Sequence, residues 1–131
     1  MSERVAIVGS RDWPEPDAIR DYVYSLAMDD TVISGGAKGV DEWAELAAME
    51  RGLAFIKFPA LWEKFGRAAG FIRNKDIVVA SDRVVAFQHN KSKGTALTIQ
   101  IAKDLNKPIQ VFSKSTNAPG NFIEGTESSD S

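Results

Sequence analysis

Three glycines in five positions, Gly35, Gly36 and Gly39, punctuate the stretch Val32-Ile33-Ser34-Gly35-Gly36-Ala37-Lys38-Gly39-Val40-Asp41. A short apolar run breaks there into a turn and then into a helical pattern, the layout of a phosphate-binding strand, loop and helix. Glycines let the main chain turn sharply and approach a ligand with no side chain between, and the first turn of a helix presents unpaired N–H groups to an anion. Ser34 adds a hydroxyl and Lys38 a charge. Asp41 suits ribose hydroxyls, although a carboxylate at a helix start is stabilised by the helix dipole without any ligand. A second loop, Gln88-His89-Asn90-Lys91-Ser92-Lys93-Gly94-Thr95, repeats this chemistry: Gly94 and Thr95 offer backbone N–H groups and a hydroxyl to an anion. A third, Gly9-Ser10-Arg11, follows the first apolar run. Neither glycine-rich loop is the G-x-G-x-x-G dinucleotide fingerprint or the G-x-x-x-x-G-K-[ST] phosphate loop, so no motif alone names the ligand.

The elements that must position these loops alternate between strand and helix. Arg4 to Val8, Thr31 to Ser34, Ala54 to Phe58, Arg83 to Phe87 and Ile109 to Phe112 are apolar, β-branched runs. Between them, helical spacing runs from about Glu15 to Met28, from Val40 to Arg51, from about Ala68 to Val79, and from the Gly94-Thr95 loop to about Leu105. The segment from Ala60 to Arg67 is an irregular connection, and the polar face of the helix after it carries Arg73, Asn74 and Lys75. Such alternation predicts right-handed crossovers and an α/β fold: one Rossmann-like, doubly wound, parallel five-stranded sheet in the order 3-2-1-4-5, with helices on both faces. Ligands bind such sheets beyond the carboxyl ends of the strands, where the strand order reverses. Here that crevice lies between the first and fourth strands and gathers all three loops.

A chain of 131 residues, 44% of them apolar, suits one domain with a sizeable core, expected over residues 1–113. From 114 to 131 Ser, Thr, Asn, Gly and acidic residues dominate, which predicts a flexible tail, or one docked through Phe122. Setting aside Glu124, Glu127 and Asp130 from the 18 acidic residues, and Lys114 from the 16 basic, leaves 15 of each. That balance argues against a nucleic-acid partner held by its phosphates. Cysteine is absent, which excludes disulfides and thiolate metal sites. No cofactor or metal is expected, nor a membrane partner. The start of the chain has no signal-peptide pattern, so a cytoplasmic protein is expected.

Other side chains carry bland and functional readings together. Lys91 and Lys93 suit a solvated loop. Trp13, Trp43 and Trp62 suit a core or a subunit contact, while Trp13 and Trp62, in loops at the ligand end, could stack on a base. His89 has no ligating partner in sequence and suits a surface or hydrogen-bonding role. Phe65, Phe71 and Ile72 could supply an apolar contact for a homo-oligomer or belong to the core.

Taken in order, Val8-Gly9-Ser10-Arg11, Ser34 to Asp41, Phe58-Pro59-Ala60-Leu61-Trp62, Gly66 to Asn74 and Lys93-Gly94-Thr95 resemble the SLOG superfamily, which includes the Smf/DprA proteins and the Lonely Guy enzymes. The match is nearest to the small YspA-like branch of bacteria and phages and spans residues 4 to about 112. The resemblance implies a fold that binds nucleotides or nucleotide-derived ligands. By position, Arg73 matches an arginine that Lonely Guy enzymes use near the substrate, and Gly94-Thr95 matches the end of their P-G-G-x-G-T-x-x-E motif. Asn90, Lys91 and Ser92 replace its Pro-Gly-Gly, and Thr98 replaces its glutamate. Cleaving an N-glycosidic bond needs a carboxylate, and Thr98 supplies none.

The expected function is therefore binding of a nucleotide-like, phosphorylated small molecule by a sensor or sequestering protein. Its candidate ligand-binding residues are Gly9, Ser10, Arg11, Ser34, Gly35, Gly36, Lys38, Gly39, Asp41, Arg73, Asn74, Gly94 and Thr95. The alternative is a nucleotide hydrolase or phosphoribohydrolase with Arg73 and Asp41 in catalytic roles. Single-stranded nucleic-acid binding in the manner of DprA is a third option.

Overall fold

A computed structural model describes residues 2–115. Its strands are β1 (Arg4–Gly9), β2 (Thr31–Ser34), β3 (Ala54–Lys57), β4 (Arg83–His89) and β5 (Ile109–Lys114). All neighbours pair in parallel, in the order β3-β2-β1-β4-β5. This is the expected doubly wound sheet. Register places Val5 opposite both Val32 and Arg83, Ile33 opposite Ile56, and Val84 opposite Ile109.

Alternation along the strands sorts the core into two layers, because successive strand residues point to opposite faces. Val5, Ile7, Val32, Val85 and Phe87 face α1 (Pro16–Tyr24) and α2 (Val40–Arg51), whose Ile19, Val23, Val40 and Ala44 complete that layer. Ala6, Val8, Ile33, Val84 and Ala86 face the opposite helices α4 (Ala69–Ala80) and α5 (Lys93–Asp104), which contribute Ile77, Val78, Ile99 and Ala102. The middle strands β1 and β4 are thus covered on both sides, as their near-continuous apolar runs require.

Several boundaries differ from the sequence expectation for local reasons. Helix α1 stops at Tyr24 rather than near Met28. The Ser25 hydroxyl donates to the Tyr22 carbonyl (2.6 Å), and the Asp30 carboxylate accepts from the N–H groups of Ala27 (3.1 Å) and Glu3 (2.9 Å), turning the chain into β2. The connection expected to be irregular contains a single helical turn, α3 (Trp62–Phe65), followed by a 3-10 turn at Gly66–Ala68. Strand β4 continues two residues past Phe87, and the chain then reverses through Asn90 and Lys91, both left-handed at φ 50° and 53°. At the end of β5, Lys114 pairs with Glu15 just before α1. The tail, with Phe122, lies outside the described residues. Among those residues no helix is long and apolar enough to cross a membrane.

Candidate functional site

A cavity of about 510 Å³ opens at the carboxyl ends of β1 and β4, at the reversal of strand order. Its walls come from the β1–α1 loop, the β2–α2 loop, the segment from α3 into α4, and the first turns of α5.

One wall is a cluster of hydroxyls. Ser10 continues the ladder of β1 by donating its N–H to the Phe87 carbonyl (2.9 Å), which directs its side chain toward the start of α5. There its Oγ lies 2.6 Å from Ser92 Oγ and 3.3 Å from Thr95 Oγ1, while the His89 N–H donates to it at 2.8 Å. Ser92 Oγ donates to Thr95 Oγ1 at 2.9 Å. A serine in front of a helix ordinarily caps it by accepting from an N–H of the first turn. Ser92 makes no such cap, so its hydroxyl does not compete with a ligand for those donors. Thr98, one turn further on, is buried and donates to the Gly94 carbonyl at 3.2 Å.

Facing the loop after β2 is Arg73 of α4. Its Nη1 donates to the Gly35 carbonyl at 2.7 Å and its Nε to Asn74 Oδ1 at 2.9 Å. Below lies Asp41, buried at the start of α2, with Oδ2 accepting from the Ala37 N–H at 3.2 Å. Burial pushes the Asp41 carboxyl above the ordinary aspartate range. The Ala37 amide and the Arg73 charge oppose that shift. A carboxyl whose pKa is higher in the folded chain contributes stability that is complete below its unfolded pKa and is lost as pH rises through the folded one. Asp41→Asn, which keeps an acceptor but cannot ionise, should therefore gain stability relative to the parent as pH rises through and above the ordinary aspartate range. Urea denaturation across that range checks this, and parallel curves would refute the assignment.

The glycines divide by what they make room for. A Cβ on Gly9 would lie 2.4 Å from the Phe87 carbonyl oxygen and 2.7 Å from Val40, so Gly9 lets α2 seat against the sheet. A Cβ on Gly35 would meet Arg73 Nη1 at 2.5 Å, so this glycine accommodates the guanidinium. Gly39, at φ 81°, packs on the backbone of Arg11, and Gly36, at φ 79°, makes the turn beside Lys57. Gly94 differs from all of these. Its backbone is unstrained and nothing lies within 4 Å of where its Cβ would be.

Of the residues selected from sequence, Gly9, Ser10, Arg11, Asp41, Arg73, Asn74, Gly94 and Thr95 line the cavity together. Ser34 does not: it is fully buried and donates to the Ile7 carbonyl at 2.7 Å. Gly35, Gly36 and Gly39 shape the loop from behind, and Lys38, Lys91 and Lys93 are exposed outside the lining. Trp13 is core, 2% exposed and edge-on to Phe87 at 5.3 Å, which removes it as a stacking residue, whereas Trp62 lines the cavity. His89 is buried rather than at the surface, with Nδ1 3.1 Å from Asp12 Oδ2. Sequence reading missed Ser92, Gly70, Phe71 and Leu97 as lining residues. For Ser92 a signal existed, since a serine ahead of Lys93-Gly94-Thr95 marks a helix start. Among the described residues, no group of three or more acidic or histidine side chains could hold a metal ion.

Fold and crevice together define a Rossmann-like α/β protein with a cavity at the reversal of strand order. The model of the YspA, cpYpsA-related SLOG family matches residues 3–65. Gene 61 protein of Mycobacterium phage D29 is 34% identical over 119 residues, covering 83% of this chain and 95% of the phage protein. The chain belongs to the YspA-related SLOG family. Among solved structures, DNA processing protein A (DprA) from Streptococcus pneumoniae superposes with a TM-score of 0.73 at 20% identity over 92% of this chain. That match spans only 51% of the pneumococcal protein. DprA from Helicobacter pylori, whose structure concerns its single-stranded DNA binding mode, gives 0.66 at 21% identity, covering 92% of this chain and 68% of that one. The structure of TM1055 gives 0.62 at 22% identity over 82% and 72%. At these identities the likeness concerns the fold.

Proposed function

We propose that the cavity binds a nucleotide or nucleotide-derived phosphorylated ligand and that the protein acts as a sensor or sequestering protein for it. The start of α5 carries this reading. Ser92 leaves the first-turn N–H groups without a side-chain cap, and Gly94 keeps the space beside them clear. A phosphate there would meet the hydroxyls of Ser10, Ser92 and Thr95, with Arg73 and Arg11 supplying charge and Asp41 accepting from ribose hydroxyls. Calorimetry with nucleoside monophosphates, ADP-ribose and cyclic nucleotides is the test. Binding of at least one is expected, and binding of none by folded protein would overturn the proposal. Arg73→Ala should weaken the bound compound by about 10- to 100-fold, since a charge-assisted hydrogen bond contributes roughly 1.5–3 kcal/mol. An unchanged affinity would remove Arg73 from the site.

Two specific observations favour further readings. A buried carboxyl with a raised pKa beside an arginine is an arrangement that active sites use, which keeps nucleotide hydrolysis with Asp41 and Arg73 as an alternative. Release of free base or ribose phosphate, abolished in Asp41→Asn, would establish it. Single-stranded DNA is the second, favoured by the Helicobacter pylori DprA structure and opposed by the even charge outside the tail. Retention of labelled oligonucleotides at physiological salt decides it. Self-association through exposed Phe65 and Phe71 is part of the proposal and is read by sedimentation.

A further inference from the structure

We infer that Trp62 is the stacking platform of this site, so that the cavity favours ligands in which a flat aromatic ring accompanies the anionic group over phosphosugars of similar charge. This rests on the nucleotide reading and adds to it the residue that recognises the ring.

Residues 61–68 are exposed without interruption, and they include Leu61, Trp62 and Phe65 at 50%, 54% and 38% exposure. Three large apolar side chains so close together are ordinarily drawn into a core. Nothing draws these in: α3 is a single turn with no buried residue, and its principal neighbours are the 3-10 turn and α4 that follow it. The Lys64 ammonium sits 5.1 Å from the centre of the adjacent Phe65 ring, a contact internal to the segment. Gly66, left-handed at φ 57° with no atom within 4 Å of its Cβ position, gives the segment a joint with space around it.

This weakly held segment carries Trp62 into the cavity wall. The indole reaches over Gly70, where an added Cβ would sit 3.5 Å from Trp62 Cη2, and shares the wall with Phe71 and Leu97, 47% and 43% exposed. Beside its charged residues Arg11, Asp12, Asp41 and Arg73, the same cavity therefore presents two chemically distinct sets of groups. Hydroxyls and helix-start N–H groups suit an anion, and an exposed indole with apolar neighbours suits a π-face. Asn74, the one amide among the lining residues, already has its carbonyl oxygen engaged by Arg73. Stacking tolerates any base, because every base has a π-face.

The test is calorimetry on the full chain with AMP, GMP, ribose 5-phosphate and inorganic phosphate. AMP and GMP should both bind more tightly than ribose 5-phosphate by about 5- to 150-fold, the range for one stacked base. Trp62→Ala should bring AMP down to the affinity of ribose 5-phosphate, and Trp62→Phe should retain most of the difference. AMP should also quench tryptophan fluorescence in the parent and not in Trp62→Phe. Equal binding of AMP and ribose 5-phosphate by the parent would overturn the inference while leaving a phosphate site in place. So would a Trp62→Ala variant that lost a dimer in sedimentation yet kept its preference for AMP, since that assigns the segment to self-contact. If none of the four compounds binds, the stacking inference fails, whereas the nucleotide reading falls only when ADP-ribose and the cyclic nucleotides also fail to bind.

Discussion

Alanine in place of Gly39 is expected to destabilise the fold by about 2–5 kcal/mol, combining a backbone conformation that only glycine adopts readily with a clash in a packed region. Gly39 stands at φ 81° and ψ −123°, and a Cβ there would lie 2.4 Å from the Arg11 carbonyl oxygen. That oxygen has little freedom to move. On one side Ser10 donates its N–H to Phe87 at 2.9 Å, and on the other the Trp13 N–H returns to the Ser10 carbonyl at 3.3 Å, so the β1–α1 loop is held to the sheet. The added methyl must push apart the two loops that wall the cavity. A lowered denaturant midpoint at constant m-value is the expected result. Gly52→Ala is the control: φ is 73° there, but nothing lies within 4 Å, so only the conformational cost of about 1–2 kcal/mol applies. Equal losses in the two variants would show that contact between the loops contributes nothing.

Leucine at Gly94 should act in the opposite sense. Glycine is the weakest ordinary residue in a helix, by about 0.8–1 kcal/mol relative to alanine, and neither its backbone nor its neighbours require it here. The variant should match or exceed the parent in stability. Its side chain, however, enters the space beside the uncapped start of α5 and the hydroxyls of Ser10, Ser92 and Thr95. Affinity for whichever nucleotide the parent binds should fall by about 100-fold or more, equivalent to roughly 2.7 kcal/mol. Calorimetry alongside thermal unfolding reads both effects. A Gly94→Leu protein that binds as the parent does would place the ligand elsewhere.

These two glycines show why the fold was more legible than the site. The parallel sheet follows from the alternation of apolar runs with helical spacing, and every term in that inference is local. Gly35, Gly36 and Gly39 all suggested a backbone opened for phosphate. In the folded chain they face the Arg73 guanidinium, the Lys57 side chain and the Arg11 backbone, respectively. Ser34 looked like a ligand donor beside its loop and instead bonds the Ile7 carbonyl across the sheet. Trp13 and Trp62 both sat in loops at the ligand end, yet one became core and the other cavity wall. A residue's surroundings depend on which distant segment packs against it, and neighbouring letters do not record that.

By itself, then, the sequence determined the parallel sheet, the edge at which its loops gather, and the residue types available there, because periodicity and turn chemistry act over a few positions. The tertiary structure alone decided which of those residues share a cavity. Ser10 meets Ser92 across 82 positions of chain, and Arg73 reaches Gly35 across 38. Each contact exists only once the crossovers have closed, and each settles whether a glycine or a hydroxyl faces its own fold or the space left for a ligand.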